Sequence, residues 1–355
     1  MLYSFCMSSS ILQLAADHGF DLAGISPAAL NESAFKHYEG WVQHGRAGSM
    51  TYMDRDPERR RGVTSIMPKA QSVICLATNY FKAGRPPRSG SDGQVARYAF
   101  GRDYHKIIGK KLKRLCADLR AQFPEHEFRS YVDTGPVLER SYAEQAGLGY
   151  IGKNTTLITQ ELGSYVFLSE ILTTLPLEPT PVPAADQDTC GHCRLCLDIC
   201  PTGALIGAGE LDAKKCISYL TIENRGPIPV ELRPLIGDWL YGCDLCQEIC
   251  PKNNIAQDAR DSELFAKRIG GDHHSLAAIL KLRTKEQFDE HFAGSAMRRS
   301  KREGLVRNAC VVTANIRAHD LMDLLREVAQ RDESEMVREH AQWAIDQLEE
   351  NVPNT

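Results

Sequence analysis

Apolar and polar positions alternate along the chain in a way that predicts strands and helices in turn up to about residue 178. Ser8-Ser9-Ser10 followed by ILQLAADHG reads as a capped helix closed by Gly19. FDLAGIS follows as a short strand. Residues 33–61 read as helical and end in a charged run, Asp54 to Arg61, whose plain reading is a solvated face. SVICLATNYF (72–81) is an unbroken apolar, β-branched run and predicts a buried strand. AGRPPRSGSDG is then a loop. From His105 the apolar residues Ile108, Leu112, Leu115 and Leu119 share one helical face. FRSYVDTG (128–135) predicts a strand, VLERSYAEQAG a helix closed by Gly147, and SYVFLSEILTTLPL (164–177) a strand or strand pair. Such alternation predicts an α+β chain that opens with a layered α/β domain.

The pattern then breaks. LPLEPTPVPAAD (175–186) carries four prolines between Pro176 and Pro183 and reads as an extended linker. A cysteine-rich region runs to about residue 256 and encloses the Pro-rich insertion RGPIPVELRP (225–234). From Asp261 the periodicity is helical. NACVVTANI (308–316) and VREHAQWAIDQLEE (337–350) look like paired, HEAT-like repeat helices. A solenoid needs ~3 or more repeats to stand alone, so this end is expected to lean on the rest. The domains are therefore 1–178, 179–258 and 259–355. The 355 residues suit two or three domains, and 43% hydrophobic content allows a substantial core. No apolar stretch approaches the ~18 residues of a membrane span. MLYSFCMSSS lacks Lys and Arg and makes a poor signal peptide. The expectation is a soluble cytoplasmic protein without a membrane partner.

Cysteine placement changes the picture most. Of the 12 cysteines, eight lie between Cys190 and Cys250. Cys190, Cys193, Cys196 and Cys200-Pro201 fit the C-x2-C-x2-C-x3-C-P run of two-cluster ferredoxins, whose fourth cysteine ligates the other cluster. Cys243, Cys246 and Cys250-Pro251 form a shorter run that lacks one ligand, and Cys216 is the nearby spare. A crossed assignment closes the count. One [4Fe-4S] cluster takes Cys190, Cys193, Cys196 and Cys250, and the other takes Cys200, Cys216, Cys243 and Cys246. Two structural zinc sites are the alternative, but zinc has no use for paired x3-C-P endings. Disulfides do not suit a chain with no mark for export.

Net charge is −4, so any nucleic-acid site must be a local patch. One exists. Arg298, Arg299, Lys301, Arg302 and Arg307 against Glu303 give a local +4, read either as a charged helix–helix turn or as contacts to phosphate. Gly147 to Gly152 is a formal G-x-G-x-x-G, but it follows a helix where the dinucleotide fingerprint must follow a strand. With Lys153-Asn154 it also resembles a P-loop, without the hydroxyl that Mg²⁺ needs. Its glycines still imply close backbone approach, to another segment or to a flat ligand. Asp133 ends a strand before a Gly-Pro turn, a position for ligand binding or for an Asx-turn. His273-His274 reads as a solvated loop.

Together, ARYAFGRDYHKII, YVDTGPVLER, GLGYIGKNTTLI, GSYVFLSEILTTLPL, the crossed cysteine runs, CISYLTIENRGPIPVELRPLIGDWLYGCDLCQEICP and RRSKREGLVRNA resemble the epoxyqueuosine reductases. The resemblance implies a cobalamin-dependent enzyme fed by two [4Fe-4S] clusters. It would reduce epoxyqueuosine to queuosine at the wobble position of tRNA anticodons of the His, Asp, Asn and Tyr types. An external electron donor and a monomeric state are implied with it. The family's proton donor matches Asp133, whose pKa burial against a corrin face is expected to raise. Arg60, Arg97, Asp133, Lys153, Asn154 and the segment to Leu157, Leu168, Ser218 and Asp244 are the implied cobalamin contacts. The basic patch would sit on tRNA phosphates. Lys252 stands where the family pattern has an apolar residue, and the repeat portion is short. The competing readings are a corrinoid reductive dehalogenase-like enzyme acting on a small molecule, and a ferredoxin-like electron carrier.

Overall fold

A computed structural model describes residues 2–29, 32–88, 90–182, 189–260, 262–265 and 269–350. The elements used below are, in chain order, α1 (Leu2–Asp17), β1 (Leu22–Pro27), α2 (Glu32–Gln43), β2 (Ser72–Asn79), β3 (Asp92–Val95), α3 (Tyr104–Gln122), β4 (Phe128–Tyr131), α4 (Glu139–Gln145), β5 (Tyr150–Ile151), β6 (Leu157–Ile158), β7 (Val166–Thr173), α5 (Ile217–Ile222), β8 (Trp239–Tyr241), β9 (His273–Ser275), α6 (Lys301–Asn315), α7 (Met322–Arg331) and α8 (Glu335–Glu350).

The N-terminal sheet has the order β1-β2-β7-β4, every neighbour antiparallel. All eight residues of β2 are buried, because both faces of the sheet are covered. Ile74 and Leu76 pack with Ile11, Ile108, Leu112 and Leu115 of α1 and α3. Val73, Cys75 and Ala77 point the other way, against Ala143, Ala146 and Leu148 around α4. That two-sided burial is why β2 reads as an unbroken apolar run rather than an alternating one.

A second core joins distant parts of the chain. Val95, Ala99 and Phe100 pack with Trp239, Leu240 and Tyr241, and with Leu305, Val311, Leu325, Ala341 and Leu348 of α6–α8. The C-terminal helices thus lean on the preceding residues, as their small number requires. Among the described residues no helix is long and apolar enough to cross a membrane.

Several local expectations change. Helix α1 starts at Leu2 and runs through the serines. Ser8 lies inside it, and its hydroxyl accepts from the Glu178 N–H at 2.9 Å instead of capping an end. Residues 33–61 form α2 and short turns, interrupted at Gly45 and Gly48, both with positive φ. SYVFLSEILTTLPL gives one strand, β7. The supposed loop Gly90–Gly93 enters β3, which pairs with β8 and β9. His273-His274 is β9 and not a solvated loop. His274 meets the Gly270 carbonyl, and its ring lies edge-on to Phe292 at 5.3 Å. Part of the proline linker, 183–186, falls outside the described residues; up to Val182 it has no regular structure.

Two residues of the basic patch are corrected here. Arg307 is fully buried and donates to the carbonyls of Leu220 (2.5 Å), Asn224 (2.9 Å) and Gly226 (2.6 Å). Burial pushes its pKa down to about 9, helped by Arg225 and Arg233. Asn308 beside it donates to Thr221 O and Leu240 O. Arg302 is also buried, on Leu282 O and Asp332. Both arginines hold α6 to its surroundings, and neither faces a phosphate. Removing Arg307 takes the donors from Leu220 O and Asn224 O and leaves Gly226 O only Asn224 Nδ2. Arg307→Ala should therefore lower unfolding free energy by ~3 kcal/mol or more, and Lys301→Ala by less than ~0.5 kcal/mol, in denaturant titration.

Candidate active site

The eight cysteines of the region fall into two groups in the fold. Cys190, Cys193, Cys196 and Cys250 line one small void together with Lys153, Asn154, Ile158 and Pro251. Of the other four, Cys216, Cys243 and Cys246 are neighbours, and Cys200 lies near Cys216 and Cys246. Burial pushes the Cys243 thiol up, and Cys216 and Cys246 add to the shift. Burial likewise raises Cys216, with Cys200 contributing. Cys246 feels Cys196 of the other quartet as well as Cys216 and Cys200, so the two groups adjoin. The quartets surround a space rather than a point. Among the described residues no three Cys, His, Asp or Glu side chains could hold a single metal ion.

Polar contacts fix this region to the N-terminal domain. Lys153 Nζ donates to Gly191 O (2.6 Å) and Cys193 O (2.8 Å), and Asn154 Nδ2 to Cys246 O (3.3 Å). Asp244 is buried and accepts from the Arg97 N–H (2.8 Å) and from Arg85 (2.9 Å). Arg97 also donates to Lys82 O (2.5 Å) and Glu248 (3.2 Å). Burial raises the Asp244 pKa to about 6 against the pull of these arginines. Arg97 and Asp244 thus bind each other's elements. Asn253, after the departing Lys252, accepts from Ser164 N–H at 2.7 Å.

A far larger cavity, about 1350 Å³, opens beside this region. Arg60, Tyr104, His105, Asp133, Glu139 and Tyr241 are among the residues that line it. So do Gly209 and Leu211 from the cysteine region, and Arg298, Arg299 and Lys301 at its basic side. Thr155 faces it, while Lys153 and Asn154 face the cysteine void. The segment 153–155 is therefore the partition between the two. The glycines before it serve a hairpin, β5–β6: a Cβ on Gly149 would stand 2.2 Å from Ile158 O. Leu157 is buried in that hairpin. Leu168 lies half-buried in the sheet, and Ser218 half-buried after Cys216. Neither is among the residues that line the cavity.

Asp133 leaves β4 with φ +58, a left-handed conformation rare for a side-chain-bearing residue. Tyr104 Oη donates to its Oδ2 at 2.6 Å, and His105 Nε2 lies 3.2 Å from the same oxygen. His105 Nδ1 lies 2.8 Å from Asp103, which caps α3. Burial disfavours the imidazolium, but hydrogen bonds and charge from Asp103 and Asp133 prevail and raise the His105 pKa to about 9. Burial also pushes Asp133 up, yet the contacts from His105 and Tyr104 outweigh it and hold the carboxyl below its usual value. The cavity walls surround this side chain, but 56% of its surface stays accessible. The raised Asp133 pKa expected from sequence is thus reversed by a cationic neighbour. His105 was not singled out from sequence, although D-x-H at a helix start was its signal. Arg298 pairs with Asp289 (2.8 Å) and Arg299 with Glu223 (2.7 Å) at the rim, both exposed.

Paired cysteine quartets beside a cofactor-sized cavity with a proton-holding cluster define an iron–sulfur redox enzyme. Residues 189–253 match the 4Fe-4S double cluster binding domain, so this region binds two clusters, and residues 60–134 match the family described as epoxyqueuosine reductase QueG, DUF1730. The chain is 40% identical to the epoxyqueuosine reductase of Pseudomonas aeruginosa over 96% of its length and 94% of that protein. It is 37% identical to the Escherichia coli enzyme, over 96% of this chain and 89% of that one. Among solved structures, an epoxyqueuosine reductase with a tRNA-Tyr epoxyqueuosine-modified stem loop superposes with a TM-score of 0.88 at 32% identity, covering 97% of this chain and 91% of that one. The chain belongs to the epoxyqueuosine reductase family.

His105 gains its partners on folding, so the stability they add is complete below its unfolded pKa of ~6.5 and fades as pH rises through about 9. Asp133 and Asp103 are held down, so their share fades instead as pH falls through the carboxylate range. Asp103→Asn should bring the His105 titration, followed by NMR, down from about 9 toward ~6.5. A titration unmoved by this change would contradict the assignment.

Proposed function

We propose that this protein reduces epoxyqueuosine in a tRNA anticodon loop to queuosine, using cobalamin and two [4Fe-4S] clusters. The observation that carries the reading is the cavity itself. It contains the Asp133–His105 pair and lies across the segment 153–155 from the void that Cys190, Cys193, Cys196 and Cys250 line. The overall change takes two electrons and two protons, breaks the epoxide C–O bonds and releases water.

The cavity suits the corrin in two respects. Its volume exceeds the several hundred Å³ that drug-sized ligands need. It also sets apolar Val137, Leu211 and Tyr241 beside polar Arg60 and Asp133, a mixed lining that suits a large ring with polar edges. Arg60, Asp133 and Thr155 would hold the group, and Lys153 and Asn154 would support it from behind the partition. Bound there, cobalamin supplies a low-valent cobalt able to cleave C–O bonds reductively. Leu168 and Ser218 are left as contacts only through a neighbouring segment, and Arg97 and Asp244 through their hold on the second cysteine run.

This chain's own residues deliver protons and exclude water. Asp133 faces the substrate space, and Tyr104 fixes its rotamer. At neutral pH the proton resides on His105, so the pair holds one proton that Asp133 hands to the oxygen leaving carbon. Arg298, Arg299 and Lys301 at the rim suit an RNA backbone, and a single-stranded loop lets the modified base enter unstacked. An external donor supplies electrons to the clusters.

The ligand sets are open to a non-additivity test. Cys190→Ala and Cys250→Ala should each remove about half the iron, and the double variant no more, because both ligate one cluster. Cys190→Ala with Cys216→Ala should remove nearly all of it. Iron removal that followed the sequence runs instead, with Cys190 and Cys200 acting as one set, would refute the crossing.

Asp133→Asn should keep both clusters and bound cobalamin, measured by absorption and iron assay. Its single-turnover conversion of an epoxyqueuosine stem loop should fall by ~100-fold or more. Wild-type turnover in this variant would remove Asp133 from the reaction.

A further inference from the structure

The reduction takes two protons, and the Asp133–His105 pair holds one. Two other carboxyls sit behind Asp133. Glu139 opens α4 and lines the cavity, and its carboxylate meets the backbone N–H of Asp133. Glu170 is in the middle of β7, opposite Tyr131 in β4, two residues before Asp133. It is 1% exposed, in a strand that also carries Phe167, Leu168, Ile171 and Leu172, with Ser169 and Thr173 as its other polar residues. Helix α4 packs on β7, which brings the two glutamates to one side of the sheet. Glu139 Oε1 and Glu170 Oε2 are both buried without a hydrogen-bond partner. Among the described residues no lysine or arginine pairs with Glu170. The charges that reach it are those of Glu139 and Asp133, and Cys75 lies opposite it on β2.

A buried carboxylate without a cation is expensive as an anion and cheap as an acid. Burial first, and Asp133 second, raise the Glu139 pKa to about 8, with Arg140 and His105 opposing. Burial raises Glu170 well above its usual value, with Glu139 adding. Like charges this close share protons instead of ionising together.

We propose that Glu139 and Glu170 form a proton-storing dyad that recharges Asp133 and so supplies the second proton of the reaction. The inference rests on the reductase reading above. Once Asp133 and His105 have delivered their proton, the O–H bond of Glu139 breaks and an O–H bond forms at the Asp133 carboxylate. The dyad is left with one more negative charge and refills from cavity water. No electrons move in this step; they come from the external donor through the clusters. Glu139 has a second task, because its contact with the Asp133 N–H supports the left-handed backbone there.

The ligand-free protein tests the storage. Infrared difference spectra between about pH 6 and about pH 9 should contain a carboxylic acid that ionises near pH 8, absent in Glu139→Gln. The folded pKa of Glu139 lies above its unfolded value. Stability should therefore fall as pH rises from ~4.3 through about 8, and Glu139→Gln should flatten that slope in thermal melts. In the reconstituted holoenzyme, Glu139→Gln should slow single-turnover conversion by ~10-fold or more, with stem-loop Kd and iron content unchanged. It should also remove the fall in rate through about pH 8, leaving the one through about 9 that belongs to His105, and Glu139→Asp should recover part of the rate. Glu170→Gln should behave similarly; if it does not fold, Glu139→Gln decides alone. Wild-type rate and pH profile in Glu139→Gln, or no acid signal at neutral pH, overturns the dyad. A wild-type protein that makes no queuosine counts against the reductase reading instead, and the infrared and melting experiments still judge the dyad.

Discussion

The proposed reduction needs electrons to pass from the clusters into the cavity, and three residues separate the cysteine void from it. Lys153 holds the first cysteine loop by two carbonyls, Asn154 holds the second by one, and Thr155 faces the cavity. The partition between wire and chemistry is thus a single short stretch of backbone. The β5–β6 hairpin before and after it is kept tight by glycine at 149. If the stretch were longer or looser, the quartet and the cavity would separate, and each would still be well formed but useless to the other.

Buried charge is sorted by task around this partition. Arg307 and Arg302 spend their donors on carbonyls and on Asp332, and they fasten α6. Arg85, Arg97, Asp244 and Glu248 neutralise one another and fasten the second cysteine run. Around Asp133 the balance is left uneven among several titratable groups at once. There a histidine is made more basic, one carboxyl more acidic, and two others less acidic. Groups whose pKa values are pushed apart at one cavity are the usual mark of proton chemistry.

How far the sequence reveals this depends on whether the signal is local. Strand β2 was legible because two-sided burial writes itself into eight consecutive residues. The double-cluster region was legible because the spacing of its cysteines is local. Strand β3 was not, since Asp92–Val95 has little apolar content and owes its form to partners at Trp239 and His273. Arg302 and Arg307 were misread because helix α6 is buried nearly all round, so charge alone does not reveal which side faces out. The Asp133 pKa was misjudged for want of His105, a neighbour only in three dimensions. Glu170 did leave a mark, a lone carboxylate inside FLSEIL, but its meaning needed Glu139 and Asp133 beside it.

The proposed reduction requires electrons from the clusters to reach an epoxide in the cavity. The direct measurement is mass spectrometry of nucleosides from an epoxyqueuosine-bearing stem loop. The loop would be incubated anaerobically with reductant and with protein reconstituted with iron, sulfide and cobalamin, or with cobalamin alone. Queuosine should form in the first case and not in the second. Unchanged epoxyqueuosine despite full loading, or equal conversion without the clusters, would contradict it.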